Sequence, residues 1–166
     1  MRIRTERLSI KPYSQKDKVA LIELLKDDKI KETFIIPDIH GQDQYEKLFD
    51  KMKRDTESNQ HYAGGIYLND ILIGFILDTD VVNSTVEIGY VILPSYQNCG
   101  YATEALNGVI KHLFQNGINE VIAGAFSDNL PSIRVMIKNG MKLIDRREDI
   151  EYRGKIRHCV FYSIKK

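Results

Sequence analysis

The order of periodic segments predicts an α+β fold in a single domain, residues 1–166: a mixed sheet, largely antiparallel with a central parallel pair, flanked by about four helices. Three observations carry this expectation. Strand-like runs at residues 61–68 and 71–77 are separated only by Asn69-Asp70, residue types that tolerate positive φ, which predicts a tight antiparallel hairpin. Apolar runs at residues 85–93 and 121–126 are joined by a segment of helical period, so those strands should be parallel neighbours. Segments with apolar residues at helical spacing recur before and after this core.

In chain order, residues 7–11 alternate, with Leu8 and Ile10 on one side, and Pro12 closes a first strand. Ser14 with Asp17 three residues later has the pattern of a capping box, and Leu21, Leu24 and Leu25 form the stripe of a first helix. Residues 30–40 read as irregular, with Pro37 and Gly41 as breakers. Tyr45, Leu48, Phe49 and Met52 fall at i, i+3, i+4 and i+7 and predict a second helix from about Gln42 toward Thr56. The hairpin follows, and a second connection at Asn83-Ser84 leads into the central strand. Gly117 suits the C-cap of the third helix. The strand at 121–126 is broken by Ser127-Asp128-Asn129, and Pro131 suits the first turn of a short helix that stops at Asn139-Gly140. Residues 141–144 and 156–164, separated by a polar segment containing Tyr152-Arg153-Gly154, read as a closing hairpin.

Composition narrows the function classes. Apolar residues make up 43% and charged residues 28%, an ordinary globular balance. With 24 basic against 23 acidic residues the net charge is +1, which gives no support for a nucleic-acid partner. Cys99 and Cys159 are far apart and show no C-x-x-C spacing, as expected of a reducing compartment. The start of the chain is polar and basic, and no run approaches the ~20 apolar residues of a membrane span. A cytoplasmic location without a membrane partner is the expectation. His40, His61, His112 and His158 lack the pairing or spacing of ligands, so no metal is predicted.

Chemistry concentrates where the central strand ends. Pro94 stops the strand, and from Gln97 the chain reads Q-x-x-G-x-A before Leu106, Val109, Ile110, Leu113 and Phe114 recur at helical spacing. Gly100 leaves the backbone unshielded and Ala102 is nearly as small. A helix start of this kind aims unpaired amides, from Asn98 and Cys99 through Gly100, Tyr101, Ala102 and Thr103, at one spot where the positive end of the helix dipole also lies. An anion such as a pyrophosphate belongs there.

A strand, a Pro and Q-x-x-G-x-A opening a helix resemble the acetyl-CoA-binding motif of the GCN5-related N-acetyltransferases (GNAT), usually Q/R-x-x-G-x-G/A. Glu87-Ile88-Gly89-Tyr90 followed by Gly100-Tyr101-Ala102-Thr103-Glu104-Ala105 is similar to the subgroup that acetylates ribosomal-protein N-termini. Asn129-Leu130-Pro131-Ser132 ahead of Lys138-Asn139-Gly140-Met141 resembles the family's second signature, N-x-x-S before K-x-G-F. The resemblance implies a GNAT-like sheet and acetyl-CoA as co-substrate, with backbone groups near Val91 and Ile92 pairing with the pantetheine arm and Asn129 close to it. It implies transfer to a primary amine, most simply a protein N-terminal α-amine. A polyamine or aminoglycoside acceptor is the alternative among enzymes, and a CoA-binding regulatory module is the alternative outside them. Monomer and homodimer both remain open.

Such a transfer needs a held donor, a neutral amine and stabilisation of the departing thiolate. Glu87 is the candidate base, because a carboxylate in an apolar strand is costly unless paired or useful; its alternative is a sheet-face residue paired to a basic side chain. Many relatives carry a Tyr seven residues beyond the Asn, where this chain has Met136. Ser132 is the nearest hydroxyl and the candidate proton donor, with helix capping as its ordinary role. The turn Gln97-Asn98-Cys99 lacks the basic residue often found there in the family. Direct transfer needs no acyl-cysteine, so no covalent role is expected of Cys99.

Overall fold

Eight strands form one sheet in the computed structural model, which describes residues 1–37 and 39–166. They are β1 (Ile3–Arg4), β2 (Leu8–Lys11), β3 (Gly64–Leu68), β4 (Ile71–Val82), β5 (Thr85–Ile92), β6 (Glu120–Phe126), β7 (Lys142–Tyr152) and β8 (Lys155–Lys165). Their order across the sheet is β1-β2-β3-β4-β5-β6-β8-β7, and every neighbouring pair is antiparallel except β5–β6, which is parallel. The hairpins β3–β4, β4–β5 and β7–β8 turn through Asn69-Asp70, Asn83-Ser84 and Arg153-Gly154, all at positive φ, which matches the right-handed twist of the strands they join.

Helices cover both faces. Leu21, Leu24 and Leu25 of α1 (Lys18–Lys26) and Phe49 of α3 (Gln42–Glu57) pack with Tyr67, Phe75 and Val91, joined by Ile30 of the one-turn α2 (Asp28–Lys31). On the opposite face, Leu106, Val109, Ile110 and Leu113 of α4 (Tyr101–Gln115) and Met136 of α5 (Leu130–Lys138) pack with Ile66, Ile76, Val86 and Ile88. Phe49 and Leu106 are fully buried, and removing side chains of this size from water contributes about 1.5–3 kcal/mol each. The alternation along β5, with Val86 and Ile88 toward α4 and Val91 toward α1 and α3, gives each strand residue a known side. Gly74 is required where β4 meets β5: a Cβ there would lie 2.1 Å from the Val91 carbonyl oxygen.

The predicted strand–helix order and the parallel pair are both present. Departures fall at edges and in polar segments. β1 was not predicted, since two residues carry no period; it exists because Ile3 and Arg4 pair with Ile10 and Ser9. β4 runs to Val82 rather than residue 77, and β7 continues through the polar stretch to Tyr152, because ladder pairing with β5 and β8 outweighs a weak hydrophobic pattern. Within the stretch read as irregular, α2 forms because the Asp27 carboxylate accepts from the amides of Lys29 and Ile30; Asp38 of that stretch lies outside the described residues. Among the described residues no helix is long and apolar enough to cross a membrane.

Candidate active site

The parallel pair holds for only a short distance. β5 and β6 are paired at Thr85↔Glu120, Val86↔Val121 and Glu87↔Ile122, and there the pairing ends. Beyond that point β5 stays with β4 as far as Ile92, while β6 stays with β8 as far as Phe126, so the two halves of the sheet part. Leu93 donates its N–H to the Ile73 carbonyl on β4 (2.8 Å). By the two-residue period, Val91 turns its peptide groups the same way, and Tyr90 and Ile92 present theirs to the opening.

A cleft of about 370 Å³ occupies the split. It is lined from both faces of the sheet, by Thr33 and Phe34 on one side and by Ser132, Val135 and Lys138 of α5 on the other. Of the residues singled out from sequence, Val91, Ile92, Gln97, Asn98, Gly100, Tyr101, Ala102, Thr103, Asn129 and Ser132 all line it. Cys99 and Glu87 do not border the cleft.

At one end lies the helix start. Gly100, at φ 82° and ψ −1°, is the N-cap of α4 and offers no side-chain acceptor, so the first-turn amides are left uncapped. The start of α5 differs: the Asn129 side chain accepts from the Ser132 N–H (3.3 Å) while its Nδ2 donates to the Thr33 carbonyl across the cleft (3.3 Å). Gln97 fastens the turn to the strand, its Nε2 donating to the Ile92 carbonyl at 2.9 Å.

The turn is clasped from behind by the start of the chain. Glu104 accepts from the Thr5 hydroxyl (2.6 Å), the Arg7 N–H (2.7 Å) and Arg7 Nε (2.7 Å). Burial raises the Glu104 carboxyl, but the bonds from Thr5 and Arg7 outweigh it and hold the group below its ordinary value. Arg7 Nη1 donates to the Cys99 carbonyl (3.0 Å), and the guanidinium sits 4.6 Å over the Tyr101 ring. In a trans peptide the carbonyl and the next N–H point opposite ways, so a Cys99 carbonyl held by Arg7 turns the Gly100 N–H away from Arg7. The Cys99 thiol is exposed and free, and donates weakly to the Gln97 carbonyl at 3.4 Å.

At the other end the Tyr90 hydroxyl, on β5, lies 2.9 Å from Ser132 Oγ and donates to the Ser132 carbonyl at 3.1 Å. Burial pushes the Tyr90 phenol up to about 12, partly offset by its bond to Ser132. Met136 is fully buried in the core beneath α5. Glu87 faces the α1–α3 side with Gly89, against which the Phe34 ring packs. Arg146 Nη1 donates to Glu87 Oε2 (2.6 Å), its Nη2 meets Glu148 (2.6 Å), and its guanidinium covers the Phe161 ring at 3.9 Å. Glu87 is thus paired across the sheet, with Oε1 left without a donor among the described residues.

Several residues in and behind the cleft carry no mark in the sequence analysis. Arg7 meets Glu104 across 97 positions, which leaves no local signal. Tyr90 and the pair Arg134 and Lys138 were within reach: strand parity puts Tyr90 beside Ile88 toward α5, and an i,i+4 spacing puts the two cations on one helix face.

Comparison with known proteins gives this site its family. The model of the Acetyltransferase (GNAT) domain matches residues 7–142. The uncharacterised N-acetyltransferase YnaD of Bacillus subtilis is 32% identical over 144 residues, covering 86% of this chain and 83% of that protein. A GNAT-family acetyltransferase from Bacillus anthracis has the same fold, with a TM-score of 0.85 at 27% identity over 99% of this chain and 98% of that one. RimL, a ribosomal L7/L12 alpha-N-protein acetyltransferase solved in complex with coenzyme A, has a TM-score of 0.88 at 18% identity over 99% and 98% of the two chains. The uncapped amides of α4 and a cleft open to both faces suit that donor, and the chain belongs to the GNAT family as an acetyl-CoA-dependent N-acetyltransferase.

Proposed function

We propose that the acceptor is the α-amine of a protein N-terminus, with Glu87 as base and Ser132 as proton donor. The observation that carries this reading is the lining of one cleft from both faces of the sheet, which lets an acceptor approach past Phe34 while the donor lies against α4 and α5. Bound acetyl-CoA supplies the thioester whose acetyl group moves to the amine. Glu87 lies on the Phe34 side outside the cleft lining, so it takes the amine proton at Oε1 through an intervening water while Oε2 stays with Arg146. Ser132 Oγ holds a proton for the departing sulfur, and Tyr90 orients that hydroxyl from 2.9 Å.

The sharing of Glu87 with Arg146 is what favours an α-amine. An α-amine of pKa ~7.7–8.0 is partly neutral at pH 7 and needs little from its base, whereas a lysine-like amine near ~10.4 needs much more. RimL, similar in fold at 18% identity, is named for an alpha-N-protein acceptor, and a ribosomal-protein-serine acetyltransferase from Vibrio cholerae, also at 18% identity, is named for a ribosomal-protein acceptor. One free thiol on the surface and one in the core suit a reducing, cytoplasmic setting. The test is thiol release from acetyl-CoA against N-terminal peptides, ribosomal proteins, polyamines and aminoglycosides. Turnover with peptides carrying a free α-amine, abolished by N-terminal blocking, is the expected result; turnover confined to polyamines or aminoglycosides would overturn the reading.

A further inference from the structure

Coenzyme A brings a pyrophosphate and a 3′-phosphate, yet the turn that opens α4 carries no basic side chain at Gln97, Asn98 or Cys99. Arg7, the nearest cation behind that turn, is already committed to Glu104 and the Cys99 carbonyl. The facing helix offers an alternative. Arg134 and Lys138 stand i,i+4 on α5, so they share one face, and both line the cleft. Arg146, Arg153 and Arg157 each hold a carboxylate, but Arg134 and Lys138 have none within ion-pair distance among the described residues. A like-charged pair at this spacing repels, and an anion lying between the two removes that cost.

The placement of α5 gives the cleft a direction. Asn139, next after Lys138, donates Nδ2 to the Thr103 carbonyl in the first turn of α4 (3.3 Å), which pins this end of α5 against the uncapped amides. Ser132, six residues before Lys138 and about 9 Å back along the helix axis, meets Tyr90 at the opposite end. Lys138 therefore lies with the amides, and Arg134, one turn back on the same face, lies along the axis between Lys138 and the hydroxyl pair.

We propose that Arg134 and Lys138 are the cationic half of the phosphate site, gripping phosphate oxygens of the cofactor from α5 while the amides of residues 100–103 grip from α4. The two side chains are exposed, so R134A/K138A is expected to fold with an unchanged Tm. Calorimetry at low salt should show acetyl-CoA bound about tenfold more weakly by the double variant, with the gap closing as salt rises. The same titration with 3′-dephospho-acetyl-CoA separates the two phosphates. A wild type that loses affinity for it, beside a variant that does not discriminate, assigns the cations to the 3′-phosphate. A variant that loses affinity for both ligands alike, beside an indifferent wild type, assigns them to the pyrophosphate. A double variant that binds acetyl-CoA within twofold of wild type at low salt would overturn the proposal. Calorimetry needs no acceptor, so this outcome is independent of which amine is acetylated.

Discussion

Removing the Glu104 carboxylate should loosen the cofactor turn and cost measurable stability. Glu104 receives the Thr5 hydroxyl at 2.6 Å, the Arg7 amide at 2.7 Å and Arg7 Nε at 2.7 Å. Hydrogen bonds to charged groups contribute about 1.5–3 kcal/mol each, but the Arg7 side chain is 42% exposed, so water replaces much of the guanidinium bond. The Thr5 hydroxyl also keeps a second acceptor, the Leu8 carbonyl at 3.3 Å. The net loss for Glu104→Ala is therefore about 2–3 kcal/mol, which for a chain of this size lowers Tm by roughly 4–12 °C. Acetyl-CoA affinity should fall with it, because the first turn of α4 loses its tether to the β1–β2 connection. The pH dependence has a definite sign. The folded carboxyl lies below its ordinary value of 4.5, so its contribution is present above pH 4.5 and is lost as pH falls through the folded value. The gap in Tm between wild type and Glu104→Gln should accordingly narrow on acidification below 4.5. Thermal unfolding by circular dichroism across pH, in a double-mutant cycle with Arg7→Ala, measures this. A Glu104→Ala protein melting within about 2 °C of wild type would refute the clasp.

Three further outcomes follow from the site. Glu87→Gln should lower turnover most near neutral pH and recover part of it at higher pH, with acetyl-CoA affinity kept; a lower Tm with an unchanged pH profile would assign Glu87 to its ion pair with Arg146 alone. Tyr90→Phe removes the partner 2.9 Å from Ser132 Oγ and should reduce kcat about tenfold with little change in KM for acetyl-CoA, and a kcat equal to wild type would exclude a role for Tyr90 in orienting Ser132. Gly100→Ala forces a side chain into φ 82° with its Cβ 3.3 Å from Arg7 Nη2, so calorimetry should show weaker acetyl-CoA binding and the melt a loss of about 1–2 kcal/mol; full affinity would mean the turn geometry is not used.

Much of this site could be read from local pattern. Gln97 through Thr103 lie together in sequence and in space, and a strand followed by an amphipathic helix leaves one arrangement of the amides between them. The parallel pairing of β5 and β6 followed from the intervening helix, but its early end at Glu87↔Ile122 did not, because divergence of two strands leaves no mark in hydrophobic period. Contacts spanning long stretches of chain were equally hidden. Arg7 reaches Glu104, Asn129 reaches Thr33 and Arg146 reaches Glu87, each joining residues whose own surroundings look like ordinary polar surface. The Glu87 pairing was foreseen as a type of contact, though nothing in the polar run at residues 145–149 singled out Arg146 as the partner.

The most direct test of the cofactor site is a titration of the isotopically labelled protein with acetyl-CoA, followed through its backbone amide chemical shifts. Saturable shifts should concentrate at the amides of Gly100, Tyr101, Ala102 and Thr103 and at Tyr90 and Ile92 on the open edge of β5, leaving the distant Tyr13 and Thr56 unmoved. Saturation with those cleft amides unshifted, or with the largest shifts around Tyr13 and Thr56, would place the donor elsewhere and contradict the site.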